Sequence, residues 1–140
     1  MIFLVSPLQH FNPNHIYYNT AKNNINTNVT FTRIYYSTPM VALNAVYLQF
    51  SLTKTRMEPY FNKLKCVFDI SQNLPIIGKL NEIETHILKH YMDLTNSQKI
   101  LKLTEQLKEG NIKINISPTK HHWMEKVEIV LKISGVWKTN

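Results

Sequence analysis

The run Val29-Thr30-Phe31-Thr32-Arg33-Ile34-Tyr35-Tyr36 decides the fold class. Branched and aromatic residues fill it. One set (Val29, Phe31, Arg33, Tyr35) alternates with another (Thr30, Thr32, Ile34, Tyr36), the period of two that a strand requires. Ser37-Thr38-Pro39 interrupts the pattern and Val41–Thr53 resumes it, in a run long enough to bend at a bulge. Lys54–Pro59 reads as a polar connector. Lys63–Ile70 then alternates again, with Leu64, Cys66, Phe68 and Ile70 on one face and Lys63, Lys65 and Asp69 on the other.

Past Asn73-Leu74-Pro75 and Gly78, which read as the end of the strand region, the period changes. Leu80, Ile83, Ile87, Leu88 and Tyr91 form one apolar stripe of an amphipathic helix. A second helix is expected from Ser97 to Glu109. Thr95 and Gln98 are spaced for a capping box, and Gly110 suits the left-handed residue after the last turn. Ile112, Ile114 and Ile116 then alternate with Lys113 and Asn115, and after the Pro118–Trp123 loop Val127–Val136 alternates in turn. Upstream, residues 1–28 read as an N-terminal arm. Its 7–28 part holds seven asparagines, and its apolar patch is Ile16-Tyr17-Tyr18.

Strands, a helical segment and strands again is the order of the OB fold. The sequence therefore predicts a mainly β, α+β domain over 29–140: a five-stranded OB-like β-barrel with a helical insert between the third and fourth strands. The same order admits other α+β arrangements.

A chain of 140 residues with 44% hydrophobic residues holds one domain with a real core, which excludes wholesale disorder. No apolar run reaches the ~18 residues of a membrane helix, and Met1–Val5 lacks the basic start and length of a secretory signal. The single cysteine, Cys66, excludes an internal disulfide framework and points to an intracellular, reducing home.

The net charge of +7 is unevenly placed. No acid precedes Glu58, whereas Lys22, Arg33, Lys54 and Arg56 do. From Glu58 to Gly110 seven lysines balance seven acids, and from Asn111 onward five lysines face two acids. Positive ends around a neutral middle suit a polyanionic partner, because clustered cations release the counterions condensed around phosphates.

Enzyme chemistry finds little to stand on. His86 and His90 are a helical turn apart with Glu82 one turn earlier, but Ile87 occupies the place where a zinc protease needs its glutamate. His121-His122 lies beside Lys120 without a visible third partner for acid–base work. Three glycines, Gly78, Gly110 and Gly135, assemble no phosphate-cradling loop. No catalytic residue, metal site or cofactor is predicted.

Rings interleaved with bases remain, the combination that single-strand binders use for stacking and for tracking phosphates. Phe31, Phe50 and Phe68 are expected in the core, and Tyr36, Tyr60 and Trp123 outside it. The candidate nucleic-acid-binding residues are Arg33, Tyr36, Lys54, Arg56, Tyr60, Lys63, Lys65, Lys113, Trp123 and Lys132. Arg56, Tyr60, Lys63 and Lys65 are expected to form one patch.

Three stretches carry a family likeness. They are Thr32–Ser37 with Leu43–Phe50, then Leu107-Lys108-Glu109-Gly110-Asn111-Ile112-Lys113-Ile114, then Val130-Leu131-Lys132-Ile133-Ser134-Gly135-Val136-Trp137. Together they resemble the OB-fold single-stranded-DNA-binding replication proteins of large eukaryotic double-stranded DNA viruses, including insect-infecting ones and their endogenous relatives. The likeness covers about two-thirds of the chain, Val29 to Trp137 with gaps. It departs from the family in ending at Lys138-Thr139-Asn140, where the pattern continues into a short apolar–aromatic strand, and in having no acidic tail.

The resemblance implies a non-enzymatic protein that coats and protects single-stranded DNA during viral replication. It further implies a homo-oligomer, with viral replication proteins as partners and no membrane. The implied site of action is a viral replication compartment, in the host nucleus rather than the cytoplasm. The alternatives are a self-assembling structural or scaffold protein of the virion or replication compartment, and an RNA-binding module.

Overall fold

A computed structural model describes residues 5–19, 22–24, 29–92, 100–114 and 123–139. The alternation around Val29–Tyr36 becomes strand β4 (Val29–Ser37), preceded by β1 (Ser6–Pro7), β2 (Ile16–Tyr18) and β3 (Lys22–Asn24). The short β5 (Ala42–Leu43) leads to β6 (Val46–Tyr60) and β7 (Lys63–Phe68). Helices α1 (Leu74–Met92) and α2 (Lys102–Lys108) come next, followed by β8 (Asn111–Ile114), β9 (Trp123–Ile133) and β10 (Gly135–Thr139). The chain is mainly β, of the α+β class, and its sheets mix one parallel pairing, β1 with β6, with antiparallel ones. No helix among the described residues is long and apolar enough to cross a membrane.

Several elements depart from the sequence reading. The described residues hold ten strands where five were expected, and no pairing among them closes a sheet into a barrel. Lys54–Pro59 is no connector: β6 runs through it to Tyr60, with Thr55 fully buried and Arg56 exposed. Its polarity disguised a strand with one wet face. Lys54, at φ 53°, interrupts the extended backbone on the way.

Pro75 and Gly78 lie inside α1, which starts six residues before Leu80. A proline in the first helical turn removes only an N–H that has no intrahelical partner. The anchor for that start is Asn73, 2% exposed. Its Nδ2 donates to the carbonyls of Thr53 and Asp69, and its Oδ1 accepts from the Thr53 N–H at 2.9 Å. Ile77, Leu80, Ile83 and Ile87 form the buried stripe of α1.

The capping box at Thr95 and Gln98 lies outside the described residues, and α2 is capped from elsewhere. Glu84 of α1 accepts from the Leu103 and Thr104 N–H groups at 2.9 and 2.8 Å, and from the Thr104 hydroxyl at 2.6 Å. Gly110 ends α2 at φ +82°, where a side chain would be strained. The N-terminal stretch is more than a loop, since Leu8, Phe11 and Ile16 are buried and β2 pairs antiparallel with β4.

Contacts divide the chain into two compact units, Met1–Gln49 with Val130–Asn140, and Phe50–Ile129. Strands β6 and β9 each run through a boundary. In the first unit β4 is central, flanked by β10, β2, β3 and β5. In the second, the later part of β6 pairs with β7, and β7 with β8.

Candidate nucleic-acid interface

In the Phe50–Ile129 unit, register sets the faces. Glu58 pairs with Lys65 and Lys65 with Lys113, while Tyr60 pairs with Lys63. Directly opposed residues of neighbouring strands share a face, so these five side chains, with Arg56, stand on one side of β6–β7–β8. The opposite side carries Thr55, Leu64, Cys66, Phe68 and Ile112, all buried. An apolar inner set forces the cations outward.

Four cations and one carboxylate thus share an open sheet face. Glu58 accepts from Arg56 and lies 3.8 Å from Lys65. The half-buried Tyr60 ring has the Lys113 ammonium 4.8 Å from its centroid and that of Lys65 at 5.9 Å. Gln106 of α2 fixes Lys113 by accepting from its backbone N–H at 2.9 Å. Lys54 is neutralised by Glu125, 3.0 Å away. Exposed pairs of that kind contribute little to stability, roughly 0–1 kcal/mol.

At the tip of the β6–β7 hairpin, Phe61 is 88% exposed and adopts φ 54°, a left-handed conformation unusual for a bulky residue. Its ring stands nearly perpendicular to that of Tyr60, with centroids 4.8 Å apart. Phe61 was not among the predicted site residues, although an aromatic next to Tyr60 in a two-residue hairpin loop was the available signal.

Of the remaining predicted residues, Arg33, Tyr36 and Lys132 lie in the other unit, and Trp123 falls in the Phe50–Ile129 unit. Arg33 is exposed on β4, and Lys132 of β9 holds its ammonium 5.8 Å from the centroid of Tyr47. Tyr36 is not the exposed ring expected. It is 8% exposed, stacked on Phe11 with centroids 5.0 Å apart. The two faces of β4 are the reverse of the expectation: Thr32, Ile34 and Tyr36 point inward, and Phe31, Arg33 and Tyr35 are the more open set. Alternation defines two sets but not which one faces the core. Trp123 opens β9, but its side chain lies outside the described residues, as do His121 and His122.

Among the described residues no three His, Cys, Asp or Glu side chains gather as metal ligands. His86 is exposed on α1, and the His90 side chain lies outside the described residues. Cys66 is fully buried, and burial pushes its thiol up to about 11. Comparison with protein-family models, curated proteins and solved structures finds no match to this chain.

Proposed function

We propose that the chain is a non-enzymatic, sequence-independent single-stranded-DNA-binding protein that protects the strand during viral DNA replication. The observation that carries this reading is the open face of β6–β7–β8, where Lys65 and Lys113 flank the Tyr60 ring and Lys63 stands opposite it. Phosphates meet clustered ammoniums there, and one base meets a ring. In form we take the chain as OB-like, with β4, β6, β7, β8 and β9 standing in the chain order of the five expected strands. Support comes from the order, with the first three of these before the two helices and the last two after them.

The test is a titration with fluorescent oligo-dT. Lys63→Ala, Lys65→Ala and Lys113→Ala together should weaken binding at least tenfold, with Arg56 left in place to keep Glu58 paired. Removing Lys89, Lys102 and Lys108, all exposed on α1 and α2, deletes equal charge elsewhere and should cost far less. Equal losses from both triples would reject this face. A preference for matched ribo-oligomers would move the reading to RNA.

A further inference from the structure

The positive ends of the sequence meet in one unit. Met1–Gln49 with Val130–Asn140 contains Lys22, Arg33, Lys132 and Lys138 and not one Asp or Glu, so all nine acids fall in Phe50–Ile129. Within this acid-free unit, β4 sets Phe31, Arg33 and Tyr35 along its more open face. Neighbouring strands extend that row. Trp137 of β10 pairs with Phe31, and Tyr17 of β2 pairs with Tyr35.

Trp137 is 65% exposed and Tyr17 56%, large ring areas for so small a unit to leave in water. The Trp137 and Phe31 rings lie 4.5 Å apart at 39°. Gly135, opposite Arg33, makes room for Phe31: a Cβ there would come within 2.6 Å of the Phe31 ring. At the other end, Tyr17 and Tyr35 line an open cavity of about 480 Å³ together with Ser37, Ala42, Leu43 and Asn44. From Phe31 to Tyr35 the row spans about 13 Å, at roughly 3.3 Å per strand residue.

We infer that this face is a base-stacking surface for single-stranded nucleic acid, separate from the lysine face of the other unit. One base lies on the Trp137–Phe31 pair, a second enters the Tyr17–Tyr35 cavity, and Arg33 between them takes the linking phosphate. Ring faces alone would suit many apolar partners. Ring faces with a guanidinium between them, on a unit without acids, suit an unstacked polyanion. The inference rests on the single-strand reading and adds which of the strand's groups are gripped, and where.

The experiment compares oligo-dT with an abasic deoxyribose-phosphate oligomer of equal length, which keeps the charge and lacks the bases. In the full chain carrying Trp123→Phe, Trp137 is the only tryptophan, and its fluorescence should be quenched by oligo-dT but not by the abasic strand. Oligo-dT should bind at least tenfold more tightly than the abasic strand. Tyr17→Leu with Trp137→Leu, which keeps apolar bulk at two exposed positions, should cut that preference by roughly fivefold or more, leaving only the part owed to Tyr60, with abasic binding unchanged. The Lys63, Lys65 and Lys113 triple should weaken both oligomers alike.

An unchanged preference in the Tyr17/Trp137 variant overturns the stacking surface while leaving the single-strand reading in place. Failure of the parent protein to bind either oligomer overturns both. A dimer that the same two substitutions convert to monomer, with the preference intact, would assign the rings to a second copy of the chain and overturn the inference.

Discussion

Lys113 holds its ammonium 4.8 Å from the centre of the Tyr60 ring, although β7 lies between the strands that carry them. The contact spans the sheet because Lys113 sits opposite Lys65 and Tyr60 opposite Lys63, which makes the two a diagonal pair over one strand. A cation against an aromatic face is worth about 0.5–1 kcal/mol in the open. Its larger effect is to hold the ring on the wet side of the sheet, where a base can reach it.

Tyr60→Leu should therefore weaken oligo-dT binding roughly fivefold to a hundredfold, the range set by stacking energies of ~1–3 kcal/mol per base. Tyr60→Phe should retain the affinity, since the ring and not the hydroxyl is used. Fluorescence anisotropy reads both. A loss in the phenylalanine variant equal to that in the leucine variant would mean that the hydroxyl, and not stacking, carries the contact.

Salt dependence separates charge from stacking on the same face. Each phosphate neutralised on a single strand contributes about −0.7 to the slope of log affinity against log salt. The Lys63, Lys65 and Lys113 triple should flatten the slope by roughly 2, and Tyr60→Leu should lower affinity with the slope unchanged. Titrations from low to physiological salt check this. An unchanged slope in the lysine triple would show that these side chains touch no phosphate.

The alternating positions around Lys63–Phe68 were legible in sequence because Leu64, Cys66 and Phe68 are apolar and Lys63 and Lys65 between them are cationic. The buried Leu64, Cys66 and Phe68 and the outward Lys63 follow from that alone. Val29–Tyr36 was legible as a strand but not in its orientation. Tyr36 and Arg33 each stood in a set containing both polar and apolar members, and it is Phe11 and His15, far away in sequence, that pack on the Tyr36 ring inside. Residues 54–59 were misread because a strand with one solvated face has the composition of a loop. The Tyr17–Tyr35 pairing could not be seen, since register between segments so far apart is a tertiary outcome.

Glu84 gives a stability prediction. Its carboxylate serves two backbone N–H groups at the start of α2 as well as the Thr104 hydroxyl, and Thr104 is 2% exposed. Leu101, at the N-cap position, supplies no side-chain acceptor of its own. Glu84→Ala leaves the two backbone donors without that acceptor in a partly buried place, while the Thr104 hydroxyl keeps Asn81 as a partner, at a cost of about 1–3 kcal/mol. Thermal melting should fall by roughly 3–10 °C. Oligo-dT affinity at low temperature should stay unchanged, because the residue lies away from the lysine face. A melting point equal to the parent's would show that α2 is capped by other means.

Cys66 supplies a pH dependence with a definite sign. Burial on the inner face of β7 raises its thiol from the ordinary 9.0 to about 11. Below pH 9 the thiol is protonated whether the chain is folded or not, and stability is indifferent to it. Between pH 9 and about 11 the unfolded chain releases this proton while the folded chain keeps it, so the thiol's contribution favours unfolding increasingly as pH rises. Comparison with Cys66→Ala isolates the thiol. Urea unfolding should show the parent losing stability faster than Cys66→Ala between pH 9 and 11. In parallel, iodoacetamide at pH 9 should modify the folded protein at least a hundredfold more slowly than the urea-unfolded chain. Parallel stability curves for the two proteins, together with rapid alkylation of the native state, would place Cys66 at an accessible surface and disprove its inward position on β7.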